Sequence, residues 1–159
     1  MRHPLAGSVA EFAEASRVPV INGGDGDNEH PSQALLDLFT IKKELESHNK
    51  EIDTARIALV GDLKFGRAAH SLCKILMLYT NISIKLVSPD KLKLPDFLIS
   101  EFKKKNISIL ETQDIKEGIA DVDIIYMTRI QEERFDNVSE ANKYKGLMSL
   151  NQEIYTKNC

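Results

Sequence analysis

Two arginines follow apolar segments of the type that form strands. Gly61-Asp62-Leu63-Lys64-Phe65-Gly66-Arg67 comes after one apolar run, and Thr128-Arg129-Ile130-Gln131 comes after another. In open parallel sheets, ligands bind beyond the carboxyl ends of the strands, where the strand order reverses. If these two strands are neighbours, Arg67 and Arg129 converge on one crevice with Gln131 beside them. Two guanidinium groups repel each other unless an anion lies between them, and each can bind a carboxylate through two hydrogen bonds, so the pattern predicts a site for a small dicarboxylate. The alternative is that the arginines pair with acidic neighbours such as Asp62, Glu132 or Glu133.

A second candidate site lies at the start of a predicted helix. His30 precedes Pro31, a residue suited to the first turn of a helix, and Gln33 follows three residues after His30. Both side chains can therefore point from the first turn into the same space. The glycine-rich segment before them, residues 22–28, is interpreted as a bend that brings the backbone close to a ligand.

Other ligand classes fit the sequence poorly. Gly61 and Gly66 have the spacing of a nucleotide-binding phosphate loop, but the Lys and Ser/Thr that must follow are absent. No Gly-x-Gly-x-x-Gly follows the first strand, which disfavours a dinucleotide. A calcium loop beginning at Asp25 would need a carboxylate where Leu36 stands. The four histidines lack zinc-ligand spacing, so the sequence predicts neither a metal nor a cofactor.

Regularly alternating elements must position these residues. The pattern predicts strands over 56–61, 83–87, 107–110 and 122–127, separated by helices over 66–79, 95–105 and 115–120. Such alternation specifies right-handed βαβ units, and hence an α/β fold with a parallel sheet flanked by helices on both faces. Before it, we expect a helix over 6–15, a strand over 18–22 and a helix over 31–45. The polar segment 44–51 predicts a boundary near residue 50, which divides the chain into units 1–50 and 51–159.

Composition narrows the function further. The chain has 159 residues, of which 42% are apolar, and a net charge of −3. A net negative charge disfavours binding to the phosphates of nucleic acid. No apolar stretch is long enough to predict a membrane helix. Cys73 and Cys159 form neither a disulfide framework nor a metal-ligand pattern, and the first residues lack a signal core, so we expect a cytoplasmic protein.

Four segments together resemble the catalytic chains of the aspartate carbamoyltransferase family. They are residues 1–4, residues 20–37, residues 61–72 and residues 126–134, and they occur in the family's order and spacing. His-Pro-x-Gln at His30 by itself indicates only a carbamoyltransferase. Thr-Arg-x-Gln at Thr128 resembles the aspartate enzymes, because ornithine carbamoyltransferases carry a different segment suited to an amino group.

The resemblance implies transfer of a carbamoyl group from carbamoyl phosphate to L-aspartate in pyrimidine synthesis, by homotrimers with shared active sites and without a metal, a cofactor or a covalent intermediate. It implies a Rossmann-like aspartate-binding domain over 51–159 and a remnant of the carbamoyl-phosphate domain over 1–50. It assigns Arg2 to the carbamoyl oxygen and phosphate, His30 to the carbonyl oxygen, and Gln33 to the carbamoyl nitrogen. The residues implied to bind aspartate are Arg67, Arg129 and Gln131.

The sequence also departs from the family pattern. A Ser-Thr-Arg-Thr phosphate loop, a mobile Ser/Lys loop and a His-Pro-Leu-Pro loop are not found, and Ala68 stands where a threonine is usual. The sequence therefore leaves open a non-catalytic module that keeps the dicarboxylate site without turnover. It also leaves open whether this chain is active alone, and it carries no readable mark of a regulatory partner.

Overall fold

A parallel sheet of four strands forms the centre of the molecule. The computed structural model describes residues 1–135 and 137–154. The strands are β1 (Arg56–Gly61), β2 (Ser83–Val87), β3 (Ser108–Thr112) and β4 (Ile124–Thr128), in the spatial order β3-β2-β1-β4. All three pairings are parallel. The order reverses between β2 and β4 on either side of β1, which makes the carboxyl end of β1 the switch point where ligands bind in such sheets.

The central strand is buried on both faces. Ile57, Ala58, Leu59 and Val60 of β1 have no exposed surface. Such a continuous apolar run is typical of a parallel strand that is covered on both sides. Ile57 and Leu59 belong to the larger core cluster, whereas Ala58 and Val60 belong to the smaller cluster on the opposite face.

Helices cover both faces, as the alternating pattern predicts. The larger core lies under α2 (Pro31–Ser47), α3 (Arg67–Leu76) and α4 (Asp96–Lys104), with α2 packed on α3. On the other face, α5 (Ile115–Ile119) packs against β1, β2 and β3. Within the described residues, the two remaining α-helices are α1 (Ser8–Ala15) and α6 (Val138–Asn142). The α/β class, the parallel sheet and the neighbouring positions of β1 and β4 are therefore confirmed.

The predicted strand over 18–22 is wrong. These residues are irregular, and Val18 and Ile21 are 69% and 76% exposed. A strand needs a neighbour to satisfy its backbone groups, and none of the described strands lies beside this segment. The chain instead places His3 next to Asp25 through an isolated bridge.

Much of the apolar surface of the amino-terminal segment is uncovered. The large apolar residues of α2 are divided, because Leu45 is buried and Leu38 partly buried, whereas those named below from the first half of the helix face solvent. An exposed apolar set of this size is typical of a surface that another polypeptide covers. The large apolar residues of this segment that are more than half exposed are Leu5, Phe12, Val18, Ile21, Leu35, Leu36 and Phe39.

The two cysteines differ in what the structure shows of them. Cys73 lies on α3, is buried in the larger core and forms no disulfide with the described part of the chain. Burial raises the pKa of its thiol to about 12, so the thiol stays protonated and behaves as a small apolar group. Cys159 lies outside the described residues.

A helix that spans a bilayer must be both long and apolar, and none of the helices within residues 1–135 and 137–154 meets both requirements.

We expect Gly61→Ala to be strongly destabilising. Gly61 has a φ of 120°, and a Cβ there would lie 2.1 Å from the carbonyl oxygen of Thr128. Backbone strain and overpacking each cost about 1–3 kcal/mol, so the free energy of unfolding should fall by about 3 kcal/mol or more in urea denaturation.

Gly7→Ala is the matched control, because Gly7 also has a positive φ, of 84°, but a Cβ there would meet no atom within 4 Å. It should lose only about 1–2 kcal/mol, the cost of the left-handed backbone. Equal losses of stability in the two variants would show that the close contact between β1 and β4 is not what requires glycine at position 61.

Candidate functional site

A buried carboxylate joins the two strand ends where the site was expected. Asp62 directly follows β1 and has no exposed surface. Its Oδ1 accepts a hydrogen bond from the backbone N–H of Phe65, and its Oδ2 accepts one from the backbone N–H of Gln131, both at 3.0 Å. Asp62 is therefore not an ion-pair partner of either arginine, and it fixes the loop after β4 against the loop after β1.

Arg129 at the end of β4 is held by an acidic neighbour. Its Nη1 and Nη2 donate to the two carboxylate oxygens of Glu133 at 2.9 Å and 2.5 Å. This two-pronged hydrogen bonding lowers the pKa of Glu133 to about 2. Both side chains are more than half exposed, at 64% and 53%. The pair is therefore a surface ion pair, of a kind that contributes only about 0–1 kcal/mol to stability.

Arg67 at the start of α3 faces the glycine-rich loop. Its Nη1 donates to the carbonyl oxygen of Gly26, which also accepts from Nη2 of Arg134 at 3.2 Å. Burial lowers the pKa of Arg67, and repulsion from Arg2 and Arg134 lowers it further. Three cationic side chains therefore surround one part of the loop, and a single carbonyl oxygen is shared by two of them.

The loop itself is organised by Asp25, which is 2% exposed. Its carboxylate accepts hydrogen bonds from the side chains of Asn22 and Asn28 and from the backbone N–H groups of Gly7 and Glu29. Burial raises the pKa of Asp25, but these four hydrogen bonds outweigh it and the net shift is downward. The glycine-rich loop, residues 22–28, is thus a hydrogen-bonded bend. Within the described ranges, no group of three or more His, Cys, Asp or Glu could hold a metal ion.

His30 caps α2 in a way that fixes its protonation. Its Nδ1 accepts a hydrogen bond from the backbone N–H of Gln33 at 3.3 Å, so Nδ1 carries no proton. Burial lowers the pKa of His30, and the charges of Arg67 and Arg2 lower it further. The ring is therefore neutral at pH 7, with its hydrogen on Nε2. In the described part of the chain, that Nε2–H donates to no protein atom.

The amide of Gln33 is oriented by α2 and β4 together. Its Nε2 donates to Oδ1 of Asp37 at 2.8 Å, and the hydroxyl of Tyr126 donates to Oδ2 of the same carboxylate at 3.0 Å. The amide nitrogen thus faces Asp37, and Oε1 faces away, with no hydrogen bond to the residues that the structure describes. The first turn of α2 consequently presents one donor, at His30, and one acceptor, at Gln33.

The structure divides the predicted site residues into two groups. Arg2, His30 and Arg67 lie close enough to influence one another's charges, with Gln33 on the same helical turn as His30. Arg129 lies at the end of β4 with Gln131, whose amide donates to the carbonyl oxygen of Arg129 at 3.3 Å.

Arg67 and Arg129 are not brought onto a common partner. Among the described residues, no group accepts a hydrogen bond from both guanidinium groups. The reason is the acid four residues after Arg129, because Glu133 is within reach and offers two oxygens, which is the pairing that the sequence left open as an alternative. Convergence of the two arginines on one crevice therefore stays a prediction, which a bound dicarboxylate would test.

Two residues of the site, Asp37 and Arg134, were missed by the sequence analysis, and a third, Asp62, has a different role from the one considered there. Asp37 lies four residues after Gln33 on the same helix, and this spacing would have indicated the contact. Arg134 lies in the segment that carries Gln131, but only the fold shows that it meets Arg67 at a backbone carbonyl. Asp62 was considered as an ion-pair partner, and its role as a backbone acceptor has no sequence signal.

Comparison with known proteins connects this geometry to two protein domains. Residues 1–43 match the domain described as "Aspartate/ornithine carbamoyltransferase, carbamoyl-P binding domain", and residues 53–157 match "Aspartate/ornithine carbamoyltransferase, Asp/Orn binding domain". The aspartate carbamoyltransferase catalytic subunits of Cellvibrio japonicus and Saccharophagus degradans are 58% and 54% identical over the whole chain. The chain covers 47% of each of them, and thus spans about half the length of these relatives.

Solved structures agree with the sequence relatives. The catalytic subunit of the M. jannaschii aspartate transcarbamoylase superposes with a TM-score of 0.86 at 43% identity, over 99% of this chain and 50% of that one. The aspartate transcarbamoylase of Trypanosoma cruzi in complex with carbamoyl phosphate and aspartate gives a TM-score of 0.84 at 35% identity, over 98% of this chain and 50% of that one.

We expect the cap and the neutral ring of His30 to make separable contributions to stability. His30→Ala should lower the free energy of unfolding at pH 8 by about 1 kcal/mol, because the N-cap acceptor is lost. His30→Asn should retain most of it, because asparagine is a good N-cap.

The pH dependence distinguishes the ring from the cap. Because the pKa of His30 is lowered by folding, the unfolded chain binds the proton more readily, and this contribution to stability is complete above the ordinary histidine pKa of about 6.5 and declines as the pH falls below it. In urea denaturation, the free energy of unfolding should fall more between pH 8 and pH 5 in the wild type than in His30→Asn. Identical losses would mean that the ring is not held neutral.

Proposed function

The chain belongs to the aspartate/ornithine carbamoyltransferase family, and from this premise we propose that it serves the transfer of a carbamoyl group from carbamoyl phosphate to L-aspartate. The products are N-carbamoyl-L-aspartate and inorganic phosphate. The observation that carries the proposal is the free donor and free acceptor on the first turn of α2. A carbamoyl group bears an amine beside its carbonyl, so it needs one donor for the oxygen and one acceptor for the amine, and His30 and Gln33 offer that pair.

The charges around this pair suit the rest of the substrate. Arg2 has no hydrogen bond to the described part of the chain, and its charge repels that of Arg67, which also lies near Asp25 and Asp27. An anion placed there would relieve this repulsion and gain charge-assisted hydrogen bonds. We therefore assign Arg2 to the phosphate and the carbonyl oxygen of carbamoyl phosphate.

Aspartate is assigned to the arginines at the strand ends. Arg67, Arg129 and Gln131 follow β1 and β4, and Asp62 fixes the two ends relative to each other. Binding through Arg129 requires a carboxylate of aspartate to replace Glu133. That exchange is inexpensive, because an exposed ion pair contributes only about 0–1 kcal/mol.

The reaction follows from positioning and charge. The amine of aspartate attacks the carbonyl carbon, a C–N bond forms, and the C–O bond to phosphate breaks. Donors at His30 Nε2 and Arg2 stabilise the negative charge that develops on the carbonyl oxygen. The departing phosphate takes up a proton from the amine, so no side chain of the protein needs to act as a base. A neutral His30 fits this role, because its single N–H, on Nε2, has no acceptor among the described residues and is free to donate.

Aspartate is favoured over ornithine as the acceptor. The guanidinium groups of Arg67 and Arg129 complement carboxylates and would repel the side-chain amine of ornithine. The relatives described above carry the name aspartate carbamoyltransferase. A dicarboxylate-binding module without turnover is the weaker candidate, because it would leave the donor and acceptor of α2 without a ligand.

We assign residues 1–50 to a carbamoyl-phosphate domain and residues 51–159 to an aspartate-binding domain. The exposed apolar residues of the amino-terminal segment support the first assignment, because they form the kind of surface that the rest of such a domain would cover. By family resemblance, the working assembly is a cytoplasmic homotrimer that acts in pyrimidine synthesis.

The proposal predicts how the chain binds N-(phosphonoacetyl)-L-aspartate, which combines features of both substrates. Arg129→Ala should weaken binding by about tenfold to 100-fold in isothermal titration calorimetry, because a charge-assisted contact worth about 1.5–3 kcal/mol is lost. Arg129→Lys should recover little of it, because a point charge cannot reproduce the two-pronged contact. Phosphonoacetamide, which lacks the aspartate part, should bind equally well to all three proteins.

Arg56→Ala is the control for removing an ion-paired arginine. Arg56 pairs with Asp123 at the start of β1, at the opposite end of the sheet from the site. This variant should bind both ligands as the wild type does. Unchanged binding of N-(phosphonoacetyl)-L-aspartate by Arg129→Ala would overturn the assignment of Arg129.

A further inference from the structure

We propose that Asp37 and Tyr126 are positioning residues that set the polarity of the Gln33 amide, and through it the preference for a ligand with an amine next to its carbonyl. This role rests on the proposed function, since it concerns how the same site recognises its carbamoyl group. Selection of that group is thereby assigned to two residues that do not contact the ligand.

An amide side chain can face a ligand with either its oxygen or its nitrogen. Rotation by 180° about its last bond exchanges the oxygen with the nitrogen, so Gln33 could present either an acceptor or a donor. An ionised carboxylate only accepts hydrogen bonds. With Asp37 Oδ1 at 2.8 Å from Gln33 Nε2, the flipped amide would place its oxygen against a carboxylate oxygen. Asp37 therefore selects the orientation in which Oε1 faces outward.

Tyr126 prevents Asp37 from turning away. Its hydroxyl donates to Oδ2 at 3.0 Å, so both oxygens of Asp37 are engaged, one by α2 and one by β4. The ring of Tyr126 packs against the larger core, which limits its movement. Burial and the charge of Asp37 raise the pKa of Tyr126, and its hydroxyl therefore stays protonated and able to donate.

This chain of contacts links the two halves of the proposed site. Tyr126 lies on β4, three residues before Arg129, which is assigned to aspartate, whereas Gln33 lies on α2, which is assigned to the carbamoyl group. A displacement of β4 would pull on Asp37 and alter how Gln33 presents its oxygen. The polarity of the amide is thereby tied to the position of the strand that carries Arg129.

The test uses two probes that differ at a single group. Phosphonoacetamide carries an amine beside its carbonyl, and acetonylphosphonate carries a methyl group in the same place. Binding of each to the full 159-residue chain is measured by NMR chemical-shift titration. The quantity of interest is the ratio of the two dissociation constants. A general loss of stability weakens the binding of both ligands alike and leaves this ratio unchanged.

Asp37→Asn should lower the preference for phosphonoacetamide by about fivefold to tenfold, since an asparagine amide can face either end of Gln33. Tyr126→Phe should lower it less, because one contact of Asp37 remains. Glu44→Gln, which removes an exposed carboxylate from the same helix, should leave the ratio unchanged. An unchanged ratio in Asp37→Asn, or equal weakening of both probes, would overturn the proposal.

A second measurement needs no ligand and separates this proposal from the proposed function. The side-chain amide proton resonances of Gln33 are assigned by their loss in Gln33→Glu. In the wild type, their chemical shifts should differ from those of free glutamine. In Asp37→Asn, they should move towards the free-glutamine values. If neither probe binds the wild type, the proposed function fails. Resonances already at free-glutamine values in the wild type would overturn the positioning role by themselves.

Discussion

The contact on which the candidate site depends is the buried carboxylate of Asp62. It accepts one backbone N–H from the loop after β1 and one from Gln131, at the start of the short 3-10 helix Glu132–Arg134 that follows β4. Removing a buried acceptor leaves its donors unsatisfied, at a cost of about 1–3 kcal/mol each. Because Arg67 begins the helix after the first loop and Arg129 lies in the loop after β4, this side chain helps to fix the positions of the two arginines that we propose bind aspartate.

At the start of α2, the atoms that cap the helix also fix the donor that we propose binds the ligand. A helix leaves its first backbone N–H groups without partners, and His30 satisfies one of them through Nδ1. That bond leaves the hydrogen on Nε2, while burial and nearby arginines keep the ring neutral. Under the proposed function, the cap prepares a donor for the carbonyl oxygen of the ligand, and Asp37 prepares an acceptor for its amine.

The sequence predicts those parts of the molecule that depend on local pattern, whereas the partners of the arginines depend on the folded chain. Continuous apolar runs such as residues 57–60 identify buried parallel strands, and Pro31 after His30 identifies a helix start. The strand over 18–22 could not be judged in this way, because an apolar segment forms a strand only where another strand is available to pair with it. Glu133 and an incoming carboxylate compete for Arg129, and the outcome depends on small differences in free energy. The carbonyl oxygen of Gly26, where two arginines meet, is marked by no residue type, because every residue has such an oxygen.

The most direct test of this account is a crystal structure of the chain with N-(phosphonoacetyl)-L-aspartate bound. We expect the carbonyl oxygen of the ligand within hydrogen-bonding distance of His30 Nε2, and the carboxylates of its aspartate part on Arg67 and Arg129, with Glu133 displaced from Arg129. A ligand bound away from the first turn of α2, or an Arg129 still paired with Glu133 while the site is occupied, would contradict the account.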